Sequence, residues 1–345
     1  PPVFRFKEAH WSEEELDRRL SGVTYTAKGR GRTLGNLDDF LAANGTTAFI
    51  LIQDDTIRVE KYGRGFSRDS IHTSFSVAKS FVSALVGIAI DEGLIRSVEQ
   101  PITDYLPELK ARDPRFERIA IRHLLQMSSG IRYKEGRLCW GDDARTYYDP
   151  NLRQRALAVR VAEAPGQTFL YNNYHPLLLG LILERATGQP VATYLQEKIW
   201  KPLGMEYAAS WSLDSKASGF EKMESGINAR AIDYAKFGRL FLHQGEWNGK
   251  RIISAQWVEE STSLNQPQAK EYYRFAWFRR QNIYYQYFWY GYPREGRDDL
   301  FAAGHLGQYI YVCPMKRLII VRNGRNDGNV DSWPEVFRGI ADALE

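Results

Sequence analysis

The chain has 345 residues, 43% hydrophobic and 26% charged, enough for one large core or two intertwined ones. Its 46 basic and 42 acidic side chains leave a formal charge of +4, too mild for the electrostatic footprint of a nucleic-acid binder. Two cysteines, Cys139 and Cys313, can form neither a disulfide framework nor a structural zinc site by themselves.

Taken in chain order, Ser12 followed by Glu13, Glu14 and Glu15 has the spacing of a capping box and predicts a helix start. The segment 29–35 is rich in glycine, but no strand precedes it and no apolar helix follows, so it reads as a surface turn. Segments 47–53 and 56–62 are apolar and β-branched and flank Asp54 and Asp55, which predicts a hairpin. An apolar-periodic helix is expected over 76–93, ending at a glycine suited to the position after a helix C-terminus. From about 96 to 226 the pattern is mainly helical, clearest at 119–127, 177–186 and 191–200, with a further helix at 228–243. Segments 309–312 and 318–321 form an expected antiparallel pair, and a closing helix runs from about Trp333.

The apolar runs at 81–90 and 177–183 are too short to cross a bilayer, so no membrane span is expected. The chain reads as soluble, either cytoplasmic or exported with a leader already removed. The simplest architecture is α/β of the α+β type: an antiparallel sheet built from both chain ends and flanked by helices, with an inserted helical lobe. The sheet domain would comprise 1–95 and 227–345 and the lobe 96–226, with a ligand cleft between them.

Several chemistries are absent from the sequence. There is no Gly-x-Ser-x-Gly elbow, no His-Glu-x-x-His and no Gly-Lys-Ser/Thr, and the six histidines lack ligand spacing, so neither a metal nor a cofactor is implied. What remains is Ser76-Val77-Ala78-Lys79, the only Ser-x-x-Lys in the chain. At this spacing the two side chains share a helix face, and Lys79 lies in an apolar helix where an ammonium is costly unless it has a partner. The plain alternative is a helix-capping serine and a lysine that snorkels to solvent. Two further elements weigh against it. Tyr171-Asn172-Asn173 is the only Tyr-x-Asn, and Gly304-His305-Leu306-Gly307-Gln308 leads into a late strand, with glycines where backbone must approach a ligand.

This ordered set resembles the serine β-lactamase and penicillin-binding-protein superfamily. The tyrosine of the second motif is similar to class C β-lactamases and their esterase, D-aminopeptidase and amide-hydrolase relatives, so a D-amino-acid peptidase or β-lactamase is a further alternative. Segments 75–80, 124–130 and 307–314 look closest to the 6-aminohexanoate-dimer hydrolase (nylon-oligomer hydrolase) branch. The resemblance implies Ser76 as nucleophile, Lys79 as its proton acceptor and Tyr171 as the phenol that protonates the leaving group and activates water. It also implies an oxyanion hole from the backbone N–H groups of Ser76 and a late-strand residue. His305 is favoured for that second donor; an alternative register would use Gln308. Asn173, Gly304, Gly307 and Gln308 are expected to bind substrate, Asn173 by bonding Lys79 or a substrate carbonyl. No lysine stands in the late motif, which argues against efficient β-lactam hydrolysis. The implied partner is a small ester or amide. An inactive family member used as a binding module is the main alternative. The region 272–292 holds 12 aromatic residues among 21 and is expected to wall one side of the cleft.

Overall fold

The computed structural model describes residues 3–136, 140–264 and 282–344. Its centre is an eight-stranded sheet: β1 (Lys7–Glu8), β2 (Thr46–Gln53), β3 (Thr56–Tyr62), β4 (Tyr284–Gln286), β5 (Trp289–Tyr292), β6 (Asp299–Gly304), β7 (Gln308–Cys313) and β8 (Leu318–Gly324). The strands lie side by side in the order β1-β3-β2-β8-β7-β6-β5-β4. All neighbours are antiparallel except β1, a two-residue edge strand that runs parallel to β3. The antiparallel sheet expected from both chain ends is present, with this one parallel edge.

Local chemistry accounts for the turns. Asp54 and Asp55 both take positive φ, 53° and 57°, the two-residue connection whose twist matches that of β2 and β3. Between β7 and β8, Pro314–Lys316 forms a 3₁₀ turn and Arg317 takes the left-handed conformation. The expected surface turn at 29–35 is different. Residues Thr24–Ala27 and Arg30–Thr33 pair as a hairpin, and only Lys28 and Gly29 turn, their N–H groups donating to the Asp331 carboxylate at 2.8 and 2.7 Å. The second strand, fully exposed, carries none of the apolar alternation that marks a half-buried strand.

Among the helices are α1 (Glu13–Leu20), α2 (Ala78–Asp91), α3 (Tyr174–Thr187), α4 (Ala231–Leu242) and α5 (Trp333–Ala343), with α4 and α5 packed on the sheet and α3 packed on α2. Ser12 caps α1 by accepting the Glu15 N–H at 3.2 Å, as its spacing predicts. Helices α4 and α5 cover opposite faces of β7. Gly238 of α4 sits against Ile310 and Val312, whereas Phe337 of α5 meets the rings of Tyr309 and Tyr311 at 5.6 and 5.5 Å. Helix α2 is buried from Ala78 through Ala89, the signature of a helix enclosed on all sides. Phe81 stacks on Phe237 of α4 at 3.6 Å, and a side chain at Gly87 would collide with the Trp257 indole.

The helix expected at 228–243 begins only at Ala231, because Ile227–Ala229 is a strand between His72–Thr73 and Ser210–Trp211. The segment expected as one helix at 191–200 is α-helical over Val191–Leu195 and then widens into a π turn over Gln196–Trp200. No helix among the described residues is long and apolar enough to cross a membrane.

Candidate active site

The small sheet made by Ile227–Ala229 builds one half of the site. Ser74 donates its N–H to the Ile227 carbonyl at 2.7 Å, and its hydroxyl reaches the Ser225 carbonyl at 3.3 Å, which fastens the segment before Ser76 to 225–227. The chain then tightens into a 3₁₀ turn over Phe75–Val77 before α2 begins. Phe75 takes φ of 45°, a left-handed conformation that is costly for an aromatic residue and has to be held by its surroundings. Ser76 follows immediately and is half-buried.

Lys79 is one turn further along and only 1% exposed. Its ammonium nitrogen lies 2.9 Å from Ser76 Oγ and donates to the Glu224 carbonyl at 3.0 Å. The same nitrogen stands 4.9 Å from the centre of the Tyr171 ring. Snorkelling to solvent is therefore not what Lys79 does. Tyr171 is half-buried, on the segment entering α3, with its ring edge-to-face on Tyr285 of β4 at 5.9 Å.

The other half of the site is the end of β6. Gly304 is the last paired residue of β6, opposite Gln308, and His305, Leu306 and Gly307 make the turn into β7. A Cβ on Gly304 would collide with the Ser74 carbonyl oxygen and stand 3.2 Å from the Phe75 Cβ. Only glycine lets this strand approach the turn that carries Ser76 so closely. His305 is exposed, and its ring meets Phe75 edge-on at 5.6 Å.

Gly307 and Gln308 are placed differently from Gly304 and His305, which meet Ser74 and Phe75. Gly307 has φ of 81°, and a side chain there would strike the Arg322 guanidinium. Arg322, buried in β8, donates to the carbonyls of Gly307 and Asn44, each at 2.7 Å, and lies 3.8 Å over the Trp333 ring. The Gln308 amide is spent on its own turn and on β8: it donates to the carbonyls of Leu306 at 3.3 Å and Gly324 at 2.7 Å and accepts from Asn323 at 2.9 Å. Both residues thus brace the turn. Asn173 Oδ1 is buried with no partner among the described residues, and the hydrogen bonds of Lys79 go to Ser76 and Glu224. Its neighbour Asn172 accepts the Tyr174 N–H at 2.9 Å just ahead of α3.

Of the aromatic region at 272–292, positions 272–281 lie outside the described residues. The rest is mostly core and not an open wall. Tyr284, Tyr285, Tyr287, Phe288 and Trp289 are all buried, and the Phe288 carbonyl accepts the Ser80 hydroxyl of α2 at 2.8 Å. Aromatics fill a half-buried pleated surface well, so their density here reflects packing behind Tyr171. Trp140, and Tyr148 at the end of the helix Asp142–Tyr148, are 67% and 77% exposed.

Sequence reasoning missed Glu224. It contributes to the site through a backbone carbonyl, which any residue carries, and only the pairing of Ile227–Ala229 brings that carbonyl to Lys79. The buried histidines provide no competing base. Burial lowers His72 and His123 to about 4 and His175 to about 3, so all three are neutral near pH 7 and enclosed in packing. Among the described residues no group of His, Cys, Asp and Glu side chains could hold a metal ion.

A buried lysine bonded to a serine at the start of a central helix, faced by a glycine-ended strand, is the arrangement of acyl-transferring serine enzymes. Residues 36–345 match the beta-lactamase family, and the chain belongs to that family of serine hydrolases. Over 313 residues it is 26% identical to the 6-aminohexanoate-dimer hydrolase of Paenarthrobacter ureafaciens, covering 88% of this chain and 76% of that protein. It is 33% identical to esterase EstB of Burkholderia gladioli over 156 residues, 41% of this chain and 39% of the esterase. Among solved structures, a Bacillus anthracis protein provisionally named a 6-aminohexanoate-dimer hydrolase superposes with a TM-score of 0.78 at 24% identity, over 99% of this chain and 86% of that one. At that identity the superposition speaks for the fold.

Proposed function

We propose that this protein cleaves ester or amide bonds of small substrates through an acyl-enzyme on Ser76, as a carboxylesterase or an amidase acting on linear amides of the 6-aminohexanoate-oligomer type. The observation that carries this reading is the 2.9 Å contact between the buried Lys79 ammonium and Ser76 Oγ, with Tyr171 against the same nitrogen. Ser76 attacks the carbonyl carbon while its proton passes to the Lys79/Tyr171 pair. Tyr171 or Lys79 returns a proton to the departing alcohol or amine, and water then releases the acyl group by the reverse sequence. The carbonyl oxygen takes up its negative charge between the N–H groups of Ser76 and His305. Contact of Gly304 and His305 with Ser74 and Phe75 supports His305 over Gln308, whose strand position faces Gly304. Each such donor is worth about 3–4 kcal/mol to the transition state.

The esterase and amidase arms rest on the relatives that carry those names. A β-lactam is the poorer substrate, because the turn His305-Leu306-Gly307 offers no lysine for its carboxylate. The test is labelling with a fluorophosphonate together with the p-nitrophenol burst from short-chain p-nitrophenyl esters, in the wild type and in Ser76→Ala. A stoichiometric adduct and burst that vanish in the variant are expected. Absence of both from the wild type would overturn the reading. A panel of p-nitrophenyl esters, aminohexanoate oligomers, D-alanine anilides and nitrocefin then ranks the substrate classes.

A further inference from the structure

A cavity of about 580 Å³ lies among the segments 132–136, 140–145 and 155–160 and the ring of Tyr174, and none of Ser76, Lys79 and Tyr171 lines it. That volume suits a small molecule. Five cationic side chains surround it, Arg132, Lys134, Arg145, Arg155 and Arg160, against two carboxylates, Glu135 and Asp142. The whole chain has 46 basic and 42 acidic side chains, so this excess is local to the cavity. The backbone brings the charges together. Arg132 donates its N–H to the Arg160 carbonyl at 2.9 Å, beside the bridge between Ile131 and Val161, which sets the two arginines on paired stretches of chain. Like charges held on neighbouring strands repel. Arg155 is paired with Asp149, which accepts from its guanidinium at 2.7 and 2.5 Å. Arg132, Lys134, Arg145 and Arg160 are exposed, and their side chains have neither an ion pair nor a hydrogen bond among the described residues.

The groups that could neutralise these cations are engaged elsewhere. Asp142 accepts the Lys134 N–H at 2.7 Å and the Tyr174 hydroxyl at 2.9 Å, one on each oxygen, and Asp143 accepts the Gly136 N–H at 3.0 Å. These bonds lace the rim together. Behind the wall, Arg112 donates to the carbonyls of Leu157, Ala158 and Val159, occupying dipoles that would oppose an anion. Water accounts for one exposed arginine on its own. It does not account for four unpaired cations gathered from three segments around one braced cavity. We propose that this cavity binds a small multivalent anion, a polycarboxylate or a polyphosphate, through Arg132, Arg145 and Arg160, with Lys134 as a fourth charge. Each guanidinium presents a planar fork of N–H donors that matches carboxylate and phosphate oxygens, and the ammonium adds a point charge. The site adjoins the catalytic segment without belonging to it: the carbonyl of Ile131, next to Arg132, accepts the amide of Asn172 at 3.1 Å, and Asn172 follows Tyr171.

Calorimetric titration of the intact chain with citrate and, separately, with inorganic pyrophosphate tests this, near neutral pH and at an ionic strength held constant with sodium chloride. One saturable site with a dissociation constant below about 1 mM is expected for at least one of the two, and the tighter ligand assigns the carboxylate or the phosphate source. Arg132→Gln and Arg160→Gln should each weaken that binding at least about tenfold. Lys250→Gln removes an exposed charge outside the cavity and should leave it unchanged. In the free protein neither arginine substitution should lower the thermal midpoint, since each relieves repulsion, while the anion should raise the midpoint of the wild type. Binding of neither anion overturns the proposal, as does binding that is equal in the wild type and both arginine variants or weakened as much by Lys250→Gln. Binding is read without turnover, so Ser76→Ala should bind as the wild type does, and a failure of fluorophosphonate labelling would leave this site standing.

Discussion

At the scale of single residues, the site depends on a few polar atoms held in apolar surroundings. Lys79→Ala removes the nitrogen bonded to Ser76 Oγ, and Tyr171→Phe removes only the phenol oxygen of the ring under that nitrogen. Each should lower kcat by about 10²–10⁴-fold with little change in thermal midpoint, since Phe keeps the ring contact with Tyr285. Steady-state kinetics on a p-nitrophenyl ester checks this, and near-wild-type turnover in Tyr171→Phe would exclude the phenol from proton transfer. Ser76, Lys79 and Tyr171 were legible in the sequence because their chemistry resides in side chains at a fixed helical spacing and in an unusual tripeptide. Gln308 was legible as a motif member but not as a brace, since which groups an amide satisfies depends on the partner strand.

At the scale of elements, the approach of β6 to the turn before α2 decides whether the two halves of the site meet. Gly304→Ala places a methyl against the Ser74 carbonyl, which must push β6 and His305 away from Ser76. The expected result is a loss of at least about 10²-fold in kcat/KM, comparable to the loss of one oxyanion donor, in a protein that keeps its far-UV circular dichroism. An active Gly304→Ala protein would mean that the close approach is incidental. Hairpins were readable where turn chemistry announces them, as at Asp54 and Asp55. The connection between β4 and β5 was not, because Tyr287 and Phe288 carry its positive φ values of 42° and 67° without a glycine or asparagine. Those residues are instead held by burial, and the Phe288 carbonyl by the Ser80 hydroxyl. The described part of the aromatic region, 282–292, misled for a related reason. Composition locates a concentration of rings, but not whether they face a cleft or a core.

At the scale of the whole molecule, stability is linked to the buried histidines. His175, held at about 3 by burial, is enclosed with Ser129 Oγ at 2.6 Å and Met127 Sδ at 3.1 Å. An unfolded histidine takes up its proton near pH 6.5, so between pH 6.5 and 3 the unfolded chain binds more protons at this position and stability falls with pH. At pH 5 this one group costs about 2 kcal/mol relative to neutral pH. Glu221, Glu224 and Asp233, raised by burial, act in the opposite direction, so the clean observable is a difference. Whatever His175→Gln costs at pH 7, the penalty should shrink by about 2 kcal/mol at pH 5, measured by urea denaturation. A penalty independent of pH would show that His175 is not held neutral. The pairing of β2 with β8 has a different kind of consequence, for biosynthesis. It joins Ile52 to Ile319, and with it the segment leading to Ser76 to the strands leading to Gly304. A nascent chain on the ribosome therefore carries Ser76 and Lys79 long before the seam that completes the sheet can close. Such non-local pairing makes for high contact order and slow folding, and it leaves the edge of β2 open until β8 has been synthesised. Enzymatic activity should thus be the last native property the chain acquires.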